Sequence, residues 1–116
     1  MVVKELATHY ARDSTNTTVA RAGALTVTLA DCFSYQLLIA RKLPFKYYGK
    51  PVAWVSTQKI SVTTNKHRAF VRRALFNAGY FLFFSDDPPL DQDETHVMRL
   101  CDLRDKELAR DAKLVC

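Results

Sequence analysis

The chain has 116 residues, 48% apolar and 25% charged, a balance that suits one ordinary globular core and excludes intrinsic disorder. At this length a single domain over 1–116 is expected, able to build its core without metal or disulfide staples. The net charge of +5 is unevenly placed: residues 1–84 carry 12 basic and 3 acidic side chains, whereas 85–116 carry 5 basic and 9 acidic.

No acidic residue falls between Asp31 and Asp86, while nine lysines and arginines do. This asymmetry points to an anionic partner for the basic part, a host or phage protein with an acidic surface or a nucleic acid. The competing reading is pairing with the acidic tail of the same chain or of a second copy. Cys32, Cys101 and Cys116 form no CxxC pair and are odd in number, so free thiols in a reducing cytoplasm are expected. No secretory leader is expected, because Lys4 and Glu5 are followed by no apolar run, and the apolar stretch 80–84 is too short to span a bilayer.

In chain order, residues 1–15 show no clean period and read as a loosely held N-terminal segment. Residues 17–21 and 25–29 are β-prone runs joined by Ala22-Gly23-Ala24, a hairpin in which Leu25, Val27 and Leu29 share the apolar face. A third strand is expected over 35–41, followed by a turn over 42–50 containing Pro44 and Gly49. A fourth follows over 52–57 and a fifth over 59–63. Thr64 or Asn65 then caps a helix beginning at Lys66, with Phe70, Val71, Ala74, Leu75 and Ala78 as its buried stripe and Gly79 as its stop. Residues 80–84 read as a short buried strand and 85–89 as a break. From about Asp93 a second helix runs close to the C-terminus, with Val97, Cys101, Leu108, Ala112 and Val115 on one face and a second ridge at Leu100, Leu103 and Leu114. The expected class is α+β: a mostly antiparallel sheet of four to five strands, then a helix, a short strand and a C-terminal helix. The surplus ridge over 97–115 raises a homodimer in which these helices meet.

No catalytic constellation is visible, and neither a metal nor a cofactor is expected. His9, His67 and His96 lack ligand-like neighbours, and His67 falls near the buried stripe, where packing or hydrogen bonding at the helix start is its expected role. With three glycines in the chain there is no phosphate-cradling loop. Two basic features remain. The predicted loop carries Arg41, Lys42, Lys46 and Lys50 among Phe45, Tyr47 and Tyr48, which suits phosphate contact with base stacking; alternatively the rings close one end of the core. On the helix, Lys66, Arg68, Arg72 and Arg73 surround Phe76 opposite the stripe. That is either an aromatic anchor framed by cations or a solvated face whose ring packs under the tail helix.

The segment Ser56-x-x-Lys59-x-Ser61-x-Thr63-Thr64-x-Lys66-His67 resembles a domain family of unknown function found in small tailed-bacteriophage proteins. The likeness covers roughly residues 16–75, about half of one domain. It departs from the family pattern at Ile60, where an aromatic is commoner, and over 43–48. The resemblance implies expression in an infected bacterium and no known catalytic residues. Together with the charge layout it leads to the expectation of a non-enzymatic phage accessory protein of anti-defence or host-takeover type, which binds a host macromolecule through Lys59, Lys66, Arg68, Arg72, Arg73 and Phe76. The second expectation is a nucleic-acid-binding module using Arg41, Lys42, Lys46, Tyr47, Tyr48 and Lys50.

Overall fold

The structure, a computed structural model, describes residues 2–12, 20–58, 61–89 and 93–115, with the backbone alone over 111–115. Its elements in chain order are α1 (Val3–Arg12), β1 (Ala20–Ala22), β2 (Leu25–Val27), β3 (Asp31–Ser34), β4 (Leu37–Tyr47), β5 (Lys50–Ser56), α2 (Val62–Asn77), β6 (Phe81–Ser85) and α3 (Glu94–Val115). The fold is α+β, with all six strands in one sheet in the order β1-β2-β3-β4-β5-β6.

Neighbouring strands pair antiparallel as far as β5, and β6 then joins β5 in parallel, Val52 opposite Phe81 and Ser56 opposite Ser85. That last pairing follows from chemistry. A parallel neighbour needs a crossover, and α2 supplies it, packed on the sheet between the two strands. Each face of the sheet has its own core because side chains alternate along a strand. Ala53, Val55 and Leu82 join Leu6, Tyr10, Val71 and Leu75 beneath α1 and α2. Val52, Trp54 and Phe83 join Tyr47, Val97 and Cys101 beneath α3.

Several expectations need correction. The N-terminal segment is not loose over its described part: α1 buries Leu6, Ala7, Tyr10 and Ala11 against α2 and the first strands. Residues 13–15 and 17–19 lie outside the described residues. The expected third strand over 35–41 divides, because Tyr35 and Gln36 form a two-residue turn between Ser34 and Leu37. Both have positive φ, +51° and +73°, as a type I′ hairpin turn requires. Beyond it the expected loop over 42–50 is mostly strand. β4 continues to Tyr47, its register with β5 shifts between Leu43 and Lys46 at Pro44, and only Tyr48-Gly49 turns. Proline donates no ladder hydrogen bond, so a bulge is where a strand tolerates it.

Of the expected fifth strand over 59–63, the described residues 61–63 instead form the cap and start of α2. Ser61 is the N-cap, its hydroxyl accepting from the Thr64 amide, so the cap is neither Thr64 nor Asn65; Lys59 and Ile60 lie outside the described residues. At the other end Gly79, with φ +93°, stops the helix as expected. In the stripe Val71 and Leu75 are fully buried, whereas Phe70 is turned toward solvent and Thr64 and His67 take buried places.

Candidate functional site

Among the described residues the parallel strand β6 ends the sheet, so one of its sides has no strand partner there. The Ser85 carbonyl accepts from the Thr57 amide, which turns the backbone of Ser85 toward β5. By the period of two, Phe81 and Phe83 also face β5, and the N–H and C=O groups of Leu82 and Phe84 point outward. On one side of this open edge stands α2 and on the other α3. Between them lies a groove of about 610 Å³ lined by Lys50, Arg72, Arg73, Phe76, Phe81, Leu82, Phe84, Arg104 and Leu108, among others. A second hollow of about 310 Å³ shares Arg72 and Phe84 with it and continues past Ala69 to Thr57 at the far end of β6. The two hollows together follow the strand along its length.

Local structure explains each lining side chain. On α2, Arg72, Arg73 and Phe76 lie away from the face that buries Val71 and Leu75, and Phe76 is 70% exposed. Leu108 on α3 is also exposed, since α3 uses Val97 and Cys101 to reach the sheet. Arg104 lies over the Phe84 ring with its guanidinium carbon 4.9 Å from the centroid, contacts Glu107 at 3.3 Å, and has a buried Nε with no acceptor among the described residues. Among the described residues, Asp105 is the sole acidic side chain lining either hollow. Among the described residues, Lys50, Arg72 and Arg73 form no ion pair with the acidic tail.

The expected partner-binding set is thus divided. Arg72, Arg73 and Phe76 meet in the groove, and the alternative in which Phe76 packs under the tail helix does not hold. Arg68 turns inward, donating to the carbonyls of Ser56 at 2.9 Å and Gln58 at 2.8 Å and to Asn65 Oδ1. It holds the end of β5 to the start of α2, and it also lines the second hollow. Lys66 is exposed but outside the lining, and Lys59 lies outside the described residues.

The basic-aromatic loop is corrected more heavily. Arg41 pairs with Asp31 at 2.8 Å and reaches the Pro89 carbonyl; Lys42 donates to the Tyr10 carbonyl near the end of α1 and sits over that ring. A cation at a helix C-terminus is stabilising. Tyr47 is buried and donates to Asp102 at 2.8 Å, tying β4 to α3. Lys46, Tyr48 and Lys50 alone of that set are exposed, at the tip of the β4–β5 hairpin, and Lys50 also lines the groove. Sequence reasoning did not find Arg104, and it placed Leu108 on the face of Val97 and Cys101, whereas Leu108 is exposed and lines the groove. The four-residue spacing of Arg104 and Leu108 put them on one helical face, but nothing local shows that this face flanks β6.

Nucleophile candidates do not converge. Burial, with Asp31 beside it, raises the Cys32 thiol far above its ordinary range, and burial with Asp102 raises Cys101 to about 11. Both thiols are buried and un-ionised at neutral pH, the opposite of a reactive cysteine. His67 Nδ1 lies 2.8 Å from Ser34 Oγ, which lies 3.0 Å from Thr64 Oγ1. This Ser–His contact is sealed, with Ser34 fully and His67 almost fully buried, and it fastens the start of α2 to the β3–β4 hairpin. Burial lowers the His67 pKa. Among the described residues no three His, Cys, Asp or Glu side chains gather as a metal-ligand set, and no helix is long and apolar enough to cross a membrane.

Comparison with protein-family models, with curated proteins and with solved structures finds no match to the chain.

Proposed function

We propose that the chain is a small non-enzymatic accessory protein of the phage type that its segment 56–67 resembles, acting in the cytoplasm of an infected bacterium. It binds a host protein with an acidic surface through the β6 groove, and so inhibits or redirects that protein. The observation that carries this reading is Phe76, 70% exposed and framed by Arg72 and Arg73 above a groove of about 610 Å³. Large exposed aromatics bordered by arginines are the residues that dominate binding energy at interfaces. The buried, un-ionised thiols and the sealed Ser34–His67 contact support a role without covalent chemistry.

The test is affinity capture from bacterial lysate, with the wild-type chain compared against Phe76→Ala and Arg72→Ala/Arg73→Ala. Truncating an interface anchor costs about 2 kcal/mol or more, so both variants are expected to lose the captured protein while keeping the wild-type melting temperature at about 0.15 M salt, where the groove's charges are screened. Equal capture by all three chains overturns the site.

A nucleic-acid reading keeps one specific observation, Tyr48, which is 86% exposed between Lys46 and Lys50. It requires retention on DNA or RNA that falls steeply with salt and disappears after nuclease treatment. Self-association through α3 belongs to the same proposal. Leu103 and Leu108 are exposed and Leu100 half-buried, while the side chains of Ala112, Leu114 and Val115 lie outside the described residues. A sedimentation coefficient fixed at the monomer value up to tens of micromolar, on the order of a weak dimer's dissociation constant, removes it.

A further inference from the structure

Resting on the reading of the β6 groove as a protein-binding site, we infer that its occupant is an extended, acidic peptide segment that adds to the sheet as a seventh strand beside β6. Three observations converge. First, the open side of β6 offers the N–H and C=O groups of Leu82 and Phe84 as a hydrogen-bonding row, which an extended backbone complements and a helix or a nucleic acid does not. Second, the two hollows run the length of that row, so a strand of about five residues, roughly 17 Å long, fits along it. Third, among the described residues the walls carry Lys50, Arg68, Arg72, Arg73 and Arg104 against the single carboxylate of Asp105.

The geometry dictates how such a segment is read. Side chains of an added strand alternate between the α2 wall and the α3 wall. On the α2 side they meet Arg72, Arg73 and Phe76, and on the α3 side Arg104 and Leu108. Carboxylates therefore belong at the positions facing α2, where both arginines are exposed and no acid lines the second hollow among the described residues. Apolar side chains belong opposite Phe76 and Leu108. Proline is excluded wherever the occupant's N–H must reach the edge. Among the described residues the opposite edge, β1, is three residues long and offers a shorter row. An unpaired apolar edge strand, even one whose side chains are half-buried or buried as in β6, invites indiscriminate pairing, and cations beside it restrict that pairing to acidic segments.

The probe is a random octapeptide library displayed and selected against the intact chain, with the selected sequences then made as fluorescein-labelled peptides and titrated by anisotropy. Expected sequences are rich in Asp and Glu and free of proline through their central residues. Methylating one backbone nitrogen at a time then separates strand addition from other modes. Affinity should fall about tenfold or more at every second position and about twofold or less between, because only alternate N–H groups face β6. Arg72→Glu/Arg73→Glu should weaken binding about tenfold or more through like-charge repulsion. Exchange of the Leu82 and Phe84 amide hydrogens should slow on saturation.

Uniform tolerance of N-methylation, with the charge reversal still effective, overturns strand addition and leaves the groove as the binding site. An alternating pattern that ignores the charge reversal, with Leu82 and Phe84 still exchanging freely, overturns both the inference and the site. Failure to select any peptide also overturns the inference. If the chain is in that case held on duplex DNA with a steep salt dependence, the groove's cations serve nucleic acid instead.

Discussion

His67 shows how one side chain can look functional in sequence and be structural in space. It lies in a segment crowded with Ser, Thr and Lys, and the fold places it nearly fully buried, 2.8 Å from Ser34 and stacked beside Tyr35 with ring centroids 6.5 Å apart. Burial penalises its charged form and lowers its pKa below the ordinary 6.5. Below pH 6.5 the unfolded chain therefore binds more protons at this residue than the folded one, and stability falls with pH. The contribution is fully present above about 6.5 and is lost as pH drops toward the depressed folded value. Urea titrations at pH 7.5 and 5.5 should show lower stability at 5.5, and His67→Asn should reduce that difference. A difference unchanged in the variant places the effect on other groups. Arg68 makes a second case, since its guanidinium bridges the Ser56 and Gln58 carbonyls. Arg68→Ala should destabilise by about 1–3 kcal/mol, the cost of leaving such acceptors without a donor, whereas Arg72→Ala/Arg73→Ala should stay within about 0.5 kcal/mol. Chemical denaturation of the two variants side by side checks both values.

Among the elements, the turns carry the main lesson. Gly23 at +60° and Gly49 at +79° occupy positions that composition marks as turns, and both hairpins were legible from them. Tyr35-Gln36 carries no such mark, yet both residues adopt positive φ because β3 and β4 must pair Cys32 with Ala40 to bury both. Tertiary burial outweighs local preference here, so β3 was not legible. The left-handed conformation costs an ordinary residue about 1–2 kcal/mol, part of which glycine's greater chain entropy gives back. Gln36 is exposed and Gln36→Gly should stabilise by about 0.5–1 kcal/mol, read as a higher urea midpoint at unchanged slope. The helices divide the same way. Gly79, the buried Val71 and Leu75, and the Val97–Cys101 contact of α3 could be read from period and punctuation. For α1, Val3, Leu6, Ala7, Tyr10 and Ala11 do recur at helical spacing, but two are alanines and the contrast with their polar neighbours is weak. At the start of α2, the β-branched run Val62-Thr63-Thr64 reads as strand, while Ser61 three residues before Thr64 is the stronger determinant because it satisfies a helix amide. The α2 half of the groove was legible for the same reason as the stripe. The α3 half depends on which face of the sheet α3 covers, and no local pattern encodes that.

Across the described residues of the molecule, the acidic tail and the basic groove residues Lys50, Arg72 and Arg73 are set apart without ion pairs between them. The acidic tail begins by hydrogen bonding to the end of β5, Thr57 and Gln58 donating to Asp86, and it then supplies α3, whose Asp102 accepts from Tyr47. None of these contacts reaches Arg72, Arg73 or Lys50, which share the groove with Arg104. Four cations lining one groove repel each other, a cost that mobile ions or a bound anion relieves. At about 10 Å in 0.1 M salt, the Debye length is comparable with the dimensions of the groove, so screening acts on the cluster itself. Added sodium chloride should therefore raise the melting temperature of the wild-type chain. Relief of about 1 kcal/mol in a chain near this size corresponds to roughly 4 °C or more. Arg72→Ser/Arg73→Ser removes half the cluster and should flatten the salt dependence while raising the melting temperature at low salt. An acidic peptide that occupies the groove should reproduce in the wild-type chain, at low salt, the stabilisation that salt provides. A double variant with the wild-type salt dependence would show that the repulsion resides elsewhere on the basic half, and would remove the electrostatic argument for an acidic occupant at β6.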